Sequence, residues 1–185
     1  MKRIVVGITG ASGIIYAYDL LKKLSNLDVE THVVISAWGK KNLELESYTL
    51  EQFNALSDYT YSYRDQSANI ASGSFLHDGM VIIPASMKTI ASIACGFGED
   101  LVTRAADVTL KEQRKLIIVP RETPLSAIHL ENLTKLARLG VQVIPPIPAF
   151  YNSPKTIQDL VDHETMKILD AFGIKQVDAK RWGDV

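Results

Sequence analysis

With a single cysteine, Cys95, the 185-residue chain has no internal disulfide framework, which fits a reducing compartment. No stretch approaches the ~18 consecutive apolar residues of a membrane-spanning helix. Net charge is nearly absent: 20 basic residues stand against 21 acidic ones, giving −1, with no long run of either sign. That balance argues against a nucleic-acid surface and against polybasic membrane contact, and leaves small molecules and proteins as partners. Internal repeats and low-complexity tracts are missing too, so no solenoid is expected. Lys2-Arg3 before an apolar run faintly resembles a signal peptide, but Gly7, Thr9 and Gly10 interrupt that run. The N-terminus is therefore expected to be a first strand, and the protein cytoplasmic. Length and the 46% hydrophobic fraction suit a single domain over residues 1–185.

What is present starts at Arg3. Ile4, Val5, Val6 and Ile8 make a short β-branched run of the kind buried in a parallel sheet, and Thr9-Gly10-Ala11-Ser12-Gly13 then suits a tight turn opening a helix. Such a turn either aims backbone N–H groups and the Ser12 hydroxyl at a phosphate or is an ordinary strand-to-helix connection. It is close to the glycine-rich loop of extended short-chain dehydrogenases, but Tyr16 replaces the last glycine. The second strand, ending Val33-Val34-Ile35-Ser36, lacks the acidic residue that holds a dinucleotide ribose. Tyr151 and Lys155 have the spacing of a dehydrogenase pair, yet Pro154 lies between them and breaks the helix they would share. A mononucleotide site without a dehydrogenase is the better fit.

Further along, helices alternate with strands. Ile14, Tyr18, Leu21 and Leu24 recur at helical spacing, and residues 29–35 form the second strand. Ser36 either contacts a ligand at that strand's end or caps the helix expected over residues 37–47, where most carboxylates should be solvated. Residues 57–74 read as a long irregular connection, either a binding lid or a surface excursion. Residues 80–83 are a third strand, and Pro84-Ala85-Ser86-Met87-Lys88-Thr89 repeats the geometry of the first turn before a helix in which Cys95 is expected to pack in the core. In the helix over 100–114, Arg104 and Lys111 lie two turns apart on one face, as a phosphate clamp or a solvated surface. Residues 116–119 deliver Arg121 and Glu122 to a strand end. An amphipathic helix over 126–139 should bury Leu130, Leu133 and Leu136, and residues 141–144 make a fifth strand. Ser153-Pro154 should then cap the last long helix, which Gly173 stops. The pattern predicts an α/β fold, a three-layer α/β/α sandwich with a mostly parallel, Rossmann- or flavodoxin-like sheet, and a polar pocket at the strand C-termini.

Taken in order, Thr-Gly-Ala-Ser-Gly at 9–13, Ser36, Ser-Gly-Ser at 72–74, Pro-Ala-Ser-Met-Lys-Thr at 84–89, Arg-Ala-Ala-Asp-Val at 104–108, Lys111-Glu112, Pro-Arg-Glu-Thr-Pro-Leu at 120–125, His-Leu-Glu-Asn at 129–132, Pro-Ala-Phe-Tyr at 148–151 and Arg-Trp-Gly at 181–183 resemble the UbiX/Pad-type flavin prenyltransferases nearly end to end. The related flavin-dependent cysteine decarboxylases typically carry Pro-Ala-Ser-Ala-Asn-Thr where this chain has Met87-Lys88. The resemblance implies transfer of a dimethylallyl group from dimethylallyl monophosphate to N5 of reduced FMN, then ring closure at C6, giving prenylated FMN for a UbiD-type aromatic acid decarboxylase. A flavin-dependent decarboxylase, or a subunit of one, and a non-catalytic flavin carrier remain the alternatives.

By the same resemblance, FMN is held by Gly10, Ala11, Ser12, Gly13, Ser36, Ser86, Met87, Lys88, Thr89 and Arg121. Arg104, Lys111, Tyr151 and Lys167 surround the donor phosphate, with Trp182 offering a π face to the allylic cation. Lys167 stands where some members carry Arg, which keeps the charge and loses the bidentate fork. Glu122 is the implied acid/base group, Glu46 a second carboxylate near the flavin, and Ser12 an orienting or relay hydroxyl. No Asp-Asp-x-x-Asp magnesium motif occurs, in keeping with a metal-independent reaction. A homo-oligomer, often a dodecamer, with sites near subunit interfaces is also implied.

Overall fold

Side-chain alternation along each strand divides the core into two layers. A computed structural model describes residues 1–176 and 181–183. In it β1 (Lys2–Ile8) sends Ile4, Val6 and Ile8 to one face of the sheet and Val5 to the other, all fully buried. Strand β2 (Val29–Ile35) continues this pattern, as do β4 (Gly79–Ala85) and β5 (Lys115–Pro120), with Val81, Ile83, Ile117 and Val119 on the first face and Met80, Ile82, Leu116 and Ile118 on the second. Burying each such side chain contributes about 1.5–3 kcal/mol. Over the first face pack α1 (Ile14–Leu24) and α7 (Ile157–Ala171), with Leu43 of α2 (Ala37–Leu45) and Phe53 of α3 (Leu50–Asn54). The second carries α4 (Met87–Cys95), α5 (Leu101–Lys111) and Leu136 of α6 (Ala127–Arg138).

All strand pairings among the described residues are parallel, in the order β3-β2-β1-β4-β5-β6, with β3 (Tyr59–Ser62) and β6 (Gln142–Val143) at the edges. The order reverses direction between β1 and β4. That is the switch point where doubly wound sheets open a crevice at the strand C-termini. Thr9 joins the two loops there. Its hydroxyl donates to Pro84 O at 2.8 Å and accepts from Ser86 N at 2.8 Å, while its N–H reaches Pro84 O at 3.2 Å.

Five local expectations are corrected. The connection 57–74 contains edge strand β3 and a short 3-10 turn over Asn69–Ala71, because Tyr59 and Tyr61 follow the period of a strand amid polar neighbours. Cys95, at the last residue of α4, is exposed rather than packed. On α6 only Leu136 is fully inside and Leu130 is half exposed, since the helix borders the sheet edge. The strand expected over residues 141–144 pairs over only two residues, Gln142–Val143, at the sheet edge. Helix α7 is capped by Thr156, not Ser153. Thr156 Oγ1 accepts from Asp159 N at 3.1 Å while the Asp159 carboxylate accepts from Thr156 N at 2.9 Å.

Candidate active site

Two helices begin at the switch point. Ser36, the N-cap of α2, accepts from Gly39 N at 3.0 Å, and Ser86, the N-cap of α4, accepts from Thr89 N at 3.3 Å. Ser36 therefore caps its helix, one of the two alternatives, and it also lines a cleft. That cleft measures about 570 Å³ and is lined by Gly10, Ser36, Trp38, Ser86, Lys88 and Thr89 among others. First-turn N–H groups not consumed by the caps, and the partial positive charge of two helix ends, suit it to a phosphate. Ser86 and Thr89 hydroxyls also lie 3.0 Å apart, and exposed Lys88 sits 3.5 Å from Glu99 at the rim. Gly10 is required by the packing, because a Cβ there would fall 2.5 Å from the Trp38 Cβ. The cleft has the volume and donor set for a flavin mononucleotide.

The opening of α1 carries a different anion. Gly13, at φ 108°, directs its N–H to Glu46 Oε1 at 2.9 Å, and Ile14 N–H reaches Glu46 Oε2 at 2.8 Å. A carboxylate, not a free phosphate slot, closes this helix end, so Glu46 is fixed in orientation and is not one of the solvated acids expected of its helix. Ser12 stays exposed at the tip of the same turn, and Ala11 is buried beneath it. Arg121 and Glu122 follow β5, both exposed, and Glu122 Oε1 accepts from Thr123 N at 3.0 Å rather than pairing with Arg121.

A second wing forms where residues 145–152 meet α7. The Tyr151 ring meets His163 edge-on at 5.5 Å and Trp182 edge-on at 5.2 Å. Trp182 is held there by its neighbour: Arg181 forks onto Asp170 with contacts of 2.5 and 2.7 Å. The fork keeps the Asp170 carboxyl below its usual range. Burial pushes His163 down, with the Lys167 charge adding to the effect. It also pushes the Tyr16 phenol up; Glu164 acts in the same direction and Arg121 against it. Tyr16, Arg121, Glu164 and Lys167 thus share one electrostatic neighbourhood.

The implied phosphate ligands do not all meet within one protomer. Tyr151, Lys167 and Trp182 stand on the α7 side, whereas Arg104 and Lys111 belong to α5 in the opposite layer. There Arg104 Nη1 bonds Asp107 at 2.8 Å and Lys111 pairs with Glu112, packed against Gly73. Sequence reasoning missed Thr9, Trp38, Tyr16, His163 and Glu164. The position of Trp38, two residues beyond Ser36 and at the same strand end, was a usable signal; the others emerge only from contacts between distant segments.

The chain matches the family described as Flavoprotein over residues 1–168. It is 72% identical over 184 residues, 98% of each chain, to flavin prenyltransferase LpdB of Lactiplantibacillus plantarum. Its fold overlays AnUbiX (PadA1), solved with FMN and dimethylallyl pyrophosphate, at a TM-score of 0.97 with 44% identity, covering 100% of this chain and 98% of that one. A dodecameric FMN-dependent UbiX-like decarboxylase from Escherichia coli O157:H7 gives 0.95 at 50% identity, covering 97% and 98%.

Proposed function

Because the chain belongs to the UbiX-like flavin prenyltransferases of the Flavoprotein family, we propose that it moves a dimethylallyl group from dimethylallyl monophosphate to N5 and C6 of reduced FMN. The observation that carries this reading is the pairing, in one fold, of a cleft at the switch point with an aromatic and cationic wing on the α7 side. Reduced FMN supplies the electron-rich ring that receives the prenyl group. The protein's residues do the rest. Ser36, Ser86, Thr89, Lys88 and the Gly10 turn hold the flavin, with Arg121 at the adjoining strand end. Lys167 and Tyr151 neutralise charge gathering on the departing phosphate, and preorganised donors of this kind are the largest single source of rate enhancement in many enzymes. Tyr151 and Trp182 present π faces to the allylic cation and keep water from it. Glu122, with an exposed carboxylate, takes the proton released on ring closure. Glu46, fixed by two N–H groups, sets the charge beside the turn that bears Ser12.

Arg104 and Lys111 join the donor phosphate from a second copy of the chain, because one protomer keeps them across the sheet from Lys167. We further propose a homo-oligomer of the dodecameric kind described for the E. coli relative, one domain per chain, a cytoplasmic setting, and delivery of prenylated FMN to a UbiD-type decarboxylase. No helix among the described residues is long and apolar enough to cross a membrane.

The test is an anaerobic single turnover with reduced FMN and dimethylallyl monophosphate, read by mass spectrometry of the extracted flavin. A flavin heavier by one five-carbon unit is expected. Unchanged flavin on folded, FMN-loaded protein, with the diphosphate donor also inert, would overturn the reading. Release of carbon dioxide from an aromatic acid by this chain alone would favour the decarboxylase instead.

A further inference from the structure

Among the described residues three buried side-chain atoms lack a hydrogen-bond partner: Asn152 Oδ1, His163 Nδ1 and Glu164 Oε1. They fall together. Asn152 follows Tyr151, whose ring touches His163, and Glu164 is the next residue on α7. Buried polar atoms are almost always paired, since desolvation without a compensating bond is costly, so three orphans in one cluster call for a cause.

Glu164 is the most unusual of the three. It is only 5% exposed and lies on the core-facing stripe of α7 between Val161 and Ile168. Lys167 is exposed one turn further on, at the i,i+3 spacing at which helical ion pairs form, yet Glu164 Oε1 engages no partner, Lys167 included. The charged and titratable groups that act on this carboxyl are Tyr16 from α1, with Arg121 acting on the same phenol, and Lys167 from α7 itself; neighbouring His163 is turned to the Tyr151 ring of the 145–152 loop. The other charges where α1 meets α7 are already engaged, for Lys23 binds Asp19 at 2.6 Å and Asp162 at 2.8 Å.

We propose that Glu164 is a positioning residue for the anionic end of the donor: while neutral it leaves the Lys167 ammonium free to meet phosphate, and once ionised it draws that ammonium back along α7 into an ion pair. The assignment rests on the prenyl-transfer reading for the identity of the phosphate, though not for the pairing. Burial pushes the Glu164 carboxyl up to about 8, with Lys167 opposing the rise. Below that pH the proton stays on and Lys167 is available. Above it the pair forms and anion affinity falls.

FMN-loaded protein would be titrated with inorganic phosphate by calorimetry from pH 7 to 9, wild type beside Glu164→Gln, with Glu164→Leu as a second non-ionisable variant. Prenyl transfer from dimethylallyl monophosphate would be followed on the same samples. The ratio of wild-type to variant dissociation constants should rise about tenfold across this range, as loss of one proton near pH 8 requires. The wild-type KM for the donor should climb in parallel while kcat holds. A ratio that stays flat, or no phosphate binding at any pH, overturns the assignment. The expected ratio with an unchanged flavin mass supports Glu164 as the anion-site control and overturns prenyl transfer.

Discussion

Thr9 shows how much one hydroxyl can organise. It is 1% exposed and uses its oxygen both as donor to Pro84 and as acceptor from Ser86 N, so the ends of β1 and β4 are fixed relative to each other at the crevice. Val in its place fits the volume but leaves Ser86 N without its acceptor and Pro84 O with only the Thr9 N–H. Thr9→Val should cost about 1–3 kcal/mol, read as a lower urea midpoint. It should also weaken FMN binding, measured by flavin fluorescence, because the Ser86 cap moves with the loop. Nothing in the sequence around Thr9 announces this role; its partners lie about 75 positions away and become neighbours only when β1 and β4 pair.

Elements were legible in proportion to how completely they are buried. β1, β2, β4 and β5 carry β-branched residues on both faces, so their composition alone marks them. Edge strand β3 is covered on one side at most, and its tyrosines sit in a polar surrounding that outweighed their alternation. The α7 start was misplaced for a related reason: Ser153-Pro154 has the composition of a cap, but Ser153 adopts φ 52° and the reciprocal Thr156–Asp159 bonds take over three residues later. Thr156→Ala should therefore lower stability by about 0.5–2 kcal/mol. Transfer activity should survive at low temperature, because Lys167 lies three turns inside the helix; a urea titration paired with the flavin mass assay separates the two effects.

For the molecule as a whole, the cleft at the switch point was readable because Gly10, Ser36, Ser86 and Thr89, which line it, sit at strand ends, where sequence order already implies proximity. The proposed donor site was not, because α5 and α7 occupy opposite layers, and only the proposed second copy would bring their cations together. Lys111→Ala and Lys167→Ala should each abolish most transfer. Unfolded together and reassembled, the two variants should recover activity at about a quarter of the sites, those that draw both lysines from intact copies. Recovery no greater than the mean of the separate variants would place both lysines in one protomer's site.

The two tryptophans of the chain stand apart: Trp38 lines the cleft at the switch point, and Trp182 rests on Tyr151 at the wing beside α7. The cleft and the wing therefore each contain one native fluorophore. Indole emission overlaps flavin absorption, so Trp38 emission should fall when FMN enters this cleft, while Trp182 emission should follow its contact with Tyr151. If the cleft holds FMN as proposed, the protein carries a built-in optical gauge of its filling.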